Sequence, residues 1–141
     1  LNSIATFEEE VVDKYEMQKR IESVTSKLPW LVFESEDGVV GYAYAGDWNS
    51  RSAYKRSVEI TVYLKNGETQ RGMGTLLYTE LIRQLKSMDY HVIIGGISLP
   101  NESSIRLHEK FGLEKVAHFK EVGFKFKKWI DVGYWELVIN V

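Results

Sequence analysis

The stretch from Val58 to Leu85 constrains the fold more than any other part of the chain. From Val58 to Leu64, apolar residues alternate with polar or aromatic ones, and this period of two is typical of a β-strand. A polar connector follows, and leucine then recurs every fourth residue from Leu77 to Leu85, which is the spacing of an amphipathic helix. The pattern predicts a strand, a glycine-bearing loop and a helix, in that order.

Two glycines, Gly72 and Gly74, stand where the predicted helix begins. The first backbone N–H groups of a helix have no partner inside it, and the helix dipole adds positive potential, so this turn suits an anion such as a phosphate. A P-loop is excluded because Thr75 and Leu76 stand where that motif needs a lysine and a hydroxyl. The dinucleotide fingerprint is excluded because Leu77 replaces its third glycine. Two glycines alone are as typical of a tight turn as of a phosphate site.

Composition excludes several classes of function. The 141 residues suffice for one domain with a single core. The absence of cysteine excludes disulfides, thiolate metal sites and a cysteine nucleophile, and no metal site is expected. The formal net charge of −2 offers no general attraction to nucleic acid or to an acidic membrane. No apolar run reaches the roughly 20 residues of a membrane-spanning helix, no signal peptide is recognisable, and the cytoplasm is the expected location.

The flanking segments predict an α/β sheet with mixed strand directions. Before the central unit, the predicted elements are a helix from Val12 to Leu28, a strand from Leu31 to Glu36, a turn at Asp37-Gly38, a strand from Val39 to Ala45 and a polar loop from Gly46 to Arg56. After it come a buried strand from His91 to Ser98, a short helix capped by Ser103 or Ser104 that runs through Phe111, strands from Glu114 to Val122 and from Tyr134 to Val141, and a basic turn from Lys125 to Trp129.

Strand, glycine loop, helix and strand, followed by Asn101 and a helix ending in Phe111-Gly112-Leu113, resemble the acyl-CoA-binding core of the GNAT superfamily of N-acetyltransferases. Longer motifs resemble its phosphinothricin N-acetyltransferase group: PWLV at Pro29–Val32, GYAYAGDW at Gly41–Trp48, ITVYL at Ile60–Leu64, LPNESSIRLHEKFG at Leu99–Gly112 and VGFKFKKWIDVGYWEL at Val122–Leu137. The resemblance implies a GNAT-like mixed, mostly antiparallel central sheet flanked by helices. It also implies a single GNAT-like domain over residues 1–141 that lacks the first strand and most of the first helix.

The resemblance further implies acetyl-CoA as the co-substrate. The residues expected to bind it are Val62, Tyr63, Leu64, Gln70, Arg71, Gly72, Met73, Gly74, Thr75, Asn101 and Lys110. A backbone N–H between Val62 and Leu64 would hold the acetyl oxygen if the strand splayed from its neighbour, and would otherwise pair in the sheet. Asn101 suits the pantetheine arm or a plain turn, and Lys110 suits a CoA phosphate or a solvated surface. Thr69 stands where the superfamily loop usually has Arg or Gln.

Acetyl transfer to an amine needs a base, and Glu59 is the candidate. Its phase on the predicted strand opposes that of Ile60, and the resemblance assigns the catalytic glutamate of the group to this position. A solvent-facing strand glutamate is the alternative. His108, where the superfamily often has tyrosine, could protonate the leaving sulfur or hold the substrate, or it could be a packed structural residue.

The expected substrate-binding residues are Arg51, Ser52, Ala53 and Tyr54, in the loop before the catalytic strand. An arginine fork suits a carboxylate or phosphinate, although an exposed loop with solvated charges is the alternative. A homodimer is expected, and the basic turn from Lys125 to Trp129 would cover a partner's cleft or form a surface hairpin.

The sequence and the resemblance together predict an acetyl-CoA-dependent N-acetyltransferase. Its expected substrate is a small molecule, an amino-acid analogue that is acetylated on its α-amino group. Phosphinothricin and methionine sulfoximine or sulfone are the acceptors that the resemblance implies, in the manner of detoxifying enzymes. The alternatives are a protein N-terminal acetyltransferase, an aminoglycoside acetyltransferase and a non-catalytic module that binds acyl-CoA.

Overall fold

A computed structural model of the protein describes residues 28–35, 38–65 and 72–140. The elements within these ranges are β1 (Trp30–Ser35), β2 (Gly38–Asp47), a 3-10 helix (Ser52–Tyr54), β3 (Ser57–Leu64), α1 (Met73–Ser87), β4 (Val92–Ser98), α2 (Glu102–Lys110), β5 (Glu114–Lys125) and β6 (Lys128–Val138). The helix predicted from Val12 to Leu28, except Leu28 itself, and most of the connector predicted before Gly72 lie outside the described residues. In the described part of the chain, neither helix is long and apolar enough to cross a membrane.

The six strands form one sheet in the order β1-β2-β3-β4-β6-β5. Four of the five neighbouring pairs are antiparallel, and β3 with β4 is the parallel pair, joined through α1. The prediction of a mixed, mostly antiparallel sheet is confirmed. The central strand–helix–strand unit predicted from periodicity forms within two residues of its predicted bounds.

Helix α1 packs its apolar side on one face of this sheet. The leucines that predicted the helix, Leu77, Leu81 and Leu85, are all buried. They meet Val58 and Ile60 of β3 in the main core, and each buried aliphatic side chain contributes about 1.5–3 kcal/mol. The remaining members of that core are Leu28, Ala43, Ala45, Tyr78, Ile82, Ile93, Ile97, Leu113 and Trp135.

The two central strands separate partway along their length. Parallel pairing between β3 and β4 covers Ser57 to Glu59 with Val92 to Ile94. Beyond Glu59, β3 continues to Leu64 paired with β2, whereas β4 continues to Ser98 paired with β6. The strands therefore diverge immediately after Glu59, and a wedge-shaped opening forms at the end of the sheet from which α1 starts.

Three local predictions are wrong. The last strand, predicted from Tyr134, begins six residues earlier at Lys128 as the second strand of the hairpin. Helix α2 is capped by Asn101, whose side-chain oxygen accepts the Ser104 N–H at 3.2 Å, because a cap oxygen must precede the helix to reach the third N–H. The basic turn predicted from Lys125 to Trp129 is also too wide. Only Phe126 and Lys127 form the turn, with φ of 54° and 58°, a pair of positive values that matches the twist of a two-residue hairpin.

Candidate active site

Glu59 lies where the central strands diverge, and its carboxylate is half-buried. Its Oε2 lies 3.3 Å from the point that a Cβ on Gly96 of β4 would occupy. The carboxylate makes no hydrogen bond with a described residue, and burial raises its pKa above the usual range. A carboxylate that is partly desolvated and has no cation beside it is a stronger base than one in water.

Adjacent glycines on β4 serve opposite faces of the sheet. A Cβ on Gly95 would stand 2.6 Å from the Cδ2 atom of His108, so glycine is needed for α2 to pack its histidine against the strand. A Cβ on Gly96 would stand 3.0 Å from the Tyr134 ring, on the face that carries Glu59. The pair thus allows close approach on both faces at the level of the opening.

Aromatic side chains surround the Glu59 carboxylate on its face of the sheet. Tyr134 of β6 lies beside it, and the pKa of Tyr134 is raised by burial and then by the Glu59 charge. Trp48 and Phe119 contact the Tyr134 ring edge-on, with centroids 5.6 and 5.8 Å away. On the other side, Tyr44 stacks on a tryptophan of β1 at 4.2 Å. This arrangement suits an acceptor with an apolar body and one reactive polar group.

His108 is buried between α2 and β4, with both ring nitrogens engaged. Nδ1 lies 2.7 Å from the carbonyl oxygen of Ser104, which can only accept, so Nδ1 carries the proton. In the neutral ring Nε2 is then an acceptor, and the Tyr78 hydroxyl donates to it at 3.0 Å. Burial lowers the pKa of His108, although the Ser104 hydrogen bond acts in the opposite direction. His108 is therefore neutral near pH 7, and it holds Tyr78.

Tyr78 of α1 is fully buried, and its hydroxyl lies on the helix face of the sheet, beside the His108 ring that packs on Gly95. Burial raises the pKa of Tyr78, and the nearby charges of Glu59 and Tyr44 raise it further. The phenol therefore stays protonated at any pH at which the protein works.

The hydrogen bonding of β3 shows which N–H groups face the opening. Lys65 donates its N–H to Val40 of β2 at 2.8 Å. Because N–H direction alternates along an antiparallel strand, Tyr63 also donates toward β2, whereas Val62 and Leu64 direct theirs to the other side. That side is the one from which β4 has diverged. Of the three residues predicted here, Tyr63 is directed away from the opening.

The first turn of α1 exposes backbone donors. Gly72 stands at the N-cap with φ of 72°, a left-handed conformation that favours glycine, and it has no side chain to cap the helix. The first helical hydrogen bond runs from Leu76 N to Gly72 O at 3.1 Å. The amides of residues 73–75 precede it, as an anion site at a helix N-terminus requires.

Lys110 at the end of α2 reaches this turn. Its Nζ lies 3.4 Å from the Thr75 Oγ1, which brings a positive charge beside the start of α1. Gly74 has a different role from Gly72, since a Cβ there would stand 3.0 Å from the Leu107 side chain of α2. Gly74 therefore allows the two helices to meet. Gln70 and Arg71, also predicted to bind the co-substrate, lie outside the described residues.

The oxygen and the nitrogen of the Asn101 side chain have different roles. Its oxygen caps α2, and the Ser103 hydroxyl donates to the same atom at 3.2 Å. Its Nδ2 group makes no hydrogen bond with a described residue and remains a donor at the end of β4. The cap holds that donor in a defined position.

The predicted substrate loop is exposed. Arg51 precedes the 3-10 helix formed by Ser52, Ala53 and Tyr54, and its N–H donates to the Asn49 side chain at 3.0 Å. The Arg51 guanidinium has no ion-pair partner among the described residues, and Tyr54 is 43% exposed. Trp48, at the start of the same loop, contacts Tyr134 and so ties the loop to the Glu59 site.

Sequence reasoning missed several residues of this site. The sequence pattern gives Tyr78, Tyr134 and Trp48 no role in a site. One signal was available, because two glycines in a buried strand mark a close approach of side chains. Within the described ranges, His, Asp and Glu residues form no cluster that could hold a metal ion.

Comparisons with known proteins identify the class. The family model for the acetyltransferase (GNAT) domain matches residues 1–133. A phosphinothricin N-acetyltransferase of Streptomyces viridochromogenes is 39% identical over 116 residues, which are 82% of this chain and 63% of that protein. An L-methionine sulfoximine/L-methionine sulfone acetyltransferase of Salmonella typhimurium is 36% identical over 112 residues, 79% of this chain and 66% of that protein. The chain thus spans about two thirds of the length of these curated relatives.

Among solved structures, a GNAT superfamily phosphinothricin acetyltransferase from Sinorhizobium meliloti, in complex with AcCoA, superposes with a TM-score of 0.93 at 33% identity. The superposition covers 99% of this chain and 77% of that one. The fold is therefore that of an acetyltransferase domain. The chain belongs to the GNAT family.

Proposed function

We propose that this protein is an acetyl-CoA-dependent N-acetyltransferase that acts on the α-amino group of a small amino-acid analogue of the phosphinothricin, methionine sulfoximine or methionine sulfone type. The observation that carries the proposal is Glu59, a desolvated carboxylate without a hydrogen-bond partner among the described residues, beside the opening between β3 and β4. The named activities of the relatives supply the choice of acceptor.

The co-substrate fits the mouth of α1. The amides of residues 73–75 and the ammonium of Lys110 would hold the pyrophosphate, and Gly72 keeps that turn uncovered. Gln70 and Arg71 remain predicted contributors. The Asn101 Nδ2 group would donate to the pantetheine arm. When bound, acetyl-CoA supplies an activated acetyl group as its thioester.

Glu59 performs the first step of the proposed mechanism. It removes a proton from the acceptor ammonium, directly or through a water, and leaves the lone pair that attacks the carbonyl carbon. Val62 N–H and Leu64 N–H face the opening and would donate to the carbonyl oxygen as negative charge develops there. The C–N bond then forms, the C–S bond breaks, the nitrogen loses its second proton, and the thiolate takes up a proton, which leaves the N-acetyl product and free CoA.

His108 has a structural part in this mechanism. The geometry does not support direct proton donation from His108, because Nδ1–H is bonded to Ser104 and Nε2 already accepts from the Tyr78 hydroxyl. The Tyr78 hydroxyl is no better as a donor, because it is fully buried and its one proton is donated to His108. In the proposal His108 and Tyr78 therefore hold α2 and α1 against β4, and the departing sulfur takes its proton from solvent.

Arg51 is the proposed anchor for the acceptor's anionic group. Its guanidinium is exposed and has no ion-pair partner among the described residues, and its loop is held over Tyr134 by Trp48. A bidentate contact with a carboxylate would fix the direction from which the α-amine approaches Glu59. Ser52, Ala53 and Tyr54 would line the same side.

We also propose that the protein is a homodimer. Large apolar side chains are exposed along the β5–β6 hairpin, beside the open edge of the sheet, and a surface of this kind is typical of a protein interface. They are Val122, Phe124, Phe126 and Trp129. A second copy is the proposed occupant, and Trp129→Glu should convert a dimer into a monomer in sedimentation experiments. A monomeric wild type would contradict this part of the proposal.

The remaining partners follow from charge and chemistry. The net charge of −2 supports neither nucleic acid nor an anionic membrane as a partner. Because acetyl-CoA is an intracellular metabolite, the cytoplasm is the proposed location.

A thiol-release assay over amino acids, aminoglycosides and peptides tests the proposed function. CoA should appear with methionine sulfone, methionine sulfoximine or phosphinothricin and need the free α-amine. Release with peptides or aminoglycosides alone would instead indicate one of the other acetyltransferase classes. Binding of acetyl-CoA without release for any acceptor would indicate a non-catalytic binding module.

A further inference from the structure

The edge strand β5 carries a three-residue bulge opposite Asp131. Phe119 pairs with Val132 and Gly123 pairs with Ile130, so that the three residues 120–122 stand opposite Asp131 alone. Glu121, in the middle of the bulge, has φ of 56°. Bulges of this kind re-aim the side chains next to them.

Asp131 holds the bulge in place. Its Oδ1 accepts the Glu121 N–H at 2.8 Å, and its Oδ2 lies 2.8 Å from the His118 Nε2. Lys115 Nζ lies 2.9 Å from His118 Nδ1, and since an ammonium can only donate, Nε2 carries the proton that Asp131 accepts. The backbone carbonyl of Asp131 also accepts the Leu99 N–H at 2.9 Å, which ties the bulge to the end of β4.

Phe119 stands directly before this bulge, on the side of the sheet that carries Glu59. Its ring contacts Tyr134 at 5.8 Å with an interplanar angle of 82°, and Tyr134 lies beside the Glu59 carboxylate. Phe119 is nevertheless 52% exposed. Half of the ring is therefore open to whatever approaches Glu59 across Tyr134.

We propose that Phe119 is a specificity-determining residue, a wall that favours acceptors with a long apolar side chain, and that Asp131 is the residue that positions it by holding the bulge. The inference rests on the proposed function, in which the acceptor amine lies at Glu59. A short side chain on the acceptor would end at Tyr134. A longer acceptor side chain would extend across the Tyr134 ring and bury its methylene groups against Phe119. The bulge fixes where the wall stands.

The test is the ratio of kcat/KM for L-methionine sulfone to that for L-alanine. Phe119→Ala should lower the ratio about 10-fold, as expected when a pocket loses its contact with one or two methylene groups, and the KM for acetyl-CoA should stay unchanged. Val116→Ala, an exposed apolar residue on the same strand, is the control and should keep the wild-type ratio.

Asp131→Ala should lower the ratio in the same direction. If Asp131 acts through Phe119, the double variant that combines Phe119→Ala with Asp131→Ala should show no greater loss than Phe119→Ala alone, because the two effects are coupled. Asp131→Asn, which keeps an oxygen for the Glu121 N–H, is the second variant should Asp131→Ala fail to fold, and its ratio should fall by less.

Four outcomes would overturn all or part of the inference. A wild-type ratio in Phe119→Ala would show that Phe119 does not contact the acceptor. A wild-type ratio in Asp131→Ala, or in Asp131→Asn where Asp131→Ala does not fold, would remove the positioning role of Asp131, and so would additive losses in the double variant. A wild-type protein that acetylates no amino acid would overturn the proposed function and this inference together. That last result differs from the other three because it is seen before any variant is made.

Discussion

The Glu59 carboxyl combines the two properties that a general base needs, an elevated pKa and an open approach. Burial disfavours its charged form and raises the pKa, and no described cation lies against it to reverse the effect. Strand geometry supplies the approach, because Glu59 is the last β3 residue paired with β4. A carboxylate in this setting holds a proton more strongly than one in water while remaining reachable.

A pH profile of kcat/KM should show the raised pKa of Glu59 directly. Glu59 must be ionised to accept a proton, so kcat/KM should fall as the pH falls through its raised pKa, above the range of an ordinary glutamate. In Glu59→Gln this acidic limb should disappear. A limb that persists in the variant would assign the titration to another group.

Arg51 should control acceptor binding without affecting the co-substrate. Arg51→Ala removes a charge-assisted contact with the carboxylate, so the KM for the amino acid should rise roughly 10-fold or more. The KM for acetyl-CoA should hardly change. Arg56→Ala is the matched control, because Arg56 belongs to the same loop but pairs with Asp89 at 3.5 Å.

The chemical form of the acceptor sharpens that test. Wild type should prefer a free acid to its methyl ester or amide, and Arg51→Ala should lose the preference. If Arg51→Ala keeps the preference, or if wild type accepts esters equally well, the anion is held by some other residue.

Buried His108 should make stability depend on pH. Its pKa is lowered in the folded protein, so between that value and the ordinary pKa of about 6.5 the unfolded chain binds the extra proton. The free energy of unfolding should therefore be highest above about pH 6.5 and decrease as the pH falls below it. Urea titrations between pH 5 and pH 8 measure this slope.

Replacing His108 should separate the stability that comes from its hydrogen bond with Tyr78 from its effect on the pH dependence of stability. His108→Gln should cost about 1–3 kcal/mol at pH 8, because the buried Tyr78 hydroxyl loses its partner, yet weaken the dependence on pH. His91→Gln, at an exposed position, is the control and should keep the wild-type slope. An unchanged slope in His108→Gln would show that another group titrates.

At the scale of elements, the start of α1 depends on a single left-handed residue. Gly72→Val places a β-branched side chain at φ of 72°, so the turn must rearrange and its amides lose their common direction. The Kd for CoA measured by calorimetry should rise at least 10-fold. Gly38→Val, at φ of 114° in the β1–β2 hairpin, carries a comparable backbone strain and should keep the wild-type Kd. Unchanged affinity in a folded Gly72→Val would locate the phosphates elsewhere.

Elements with strong local periodicity were predictable, and their junctions were less so. The leucine row of α1 and the alternation of β3 each follow from burying one face. The cap of α2 was assigned to a serine because several capping residues stand together, and only the backbone path selects Asn101. The end of β5 could not be predicted from alternation, because residues 120–122 form a bulge, leave the ladder and interrupt the alternation.

At the scale of the whole molecule, what sequence could not reveal is the pairing of distant residues. Tyr78 and His108 are 30 positions apart, and nothing in either helix marks them as partners. The divergence of β3 from β4 depends on how far three strand pairs extend, β2 with β3, β3 with β4 and β4 with β6, and the sequence of one strand does not show this. The orientation of Glu59 away from Ile60 could be predicted from its phase on one strand. The positions of Tyr134 and Phe119 beside it could not, because they come from strands distant in sequence.

Glu59 is the proposed base with which this fold transfers an acetyl group to an amino acid. The decisive experiment follows the N-acetyl product formed from acetyl-CoA and methionine sulfone by mass spectrometry for wild type and Glu59→Gln, with the Kd of acetyl-CoA measured alongside. We expect one N-acetylated product per CoA released, a turnover lowered about 10²–10⁴-fold in Glu59→Gln, and a nearly unchanged Kd. Wild-type turnover in Glu59→Gln, or CoA release without an N-acetyl product, would contradict the proposal.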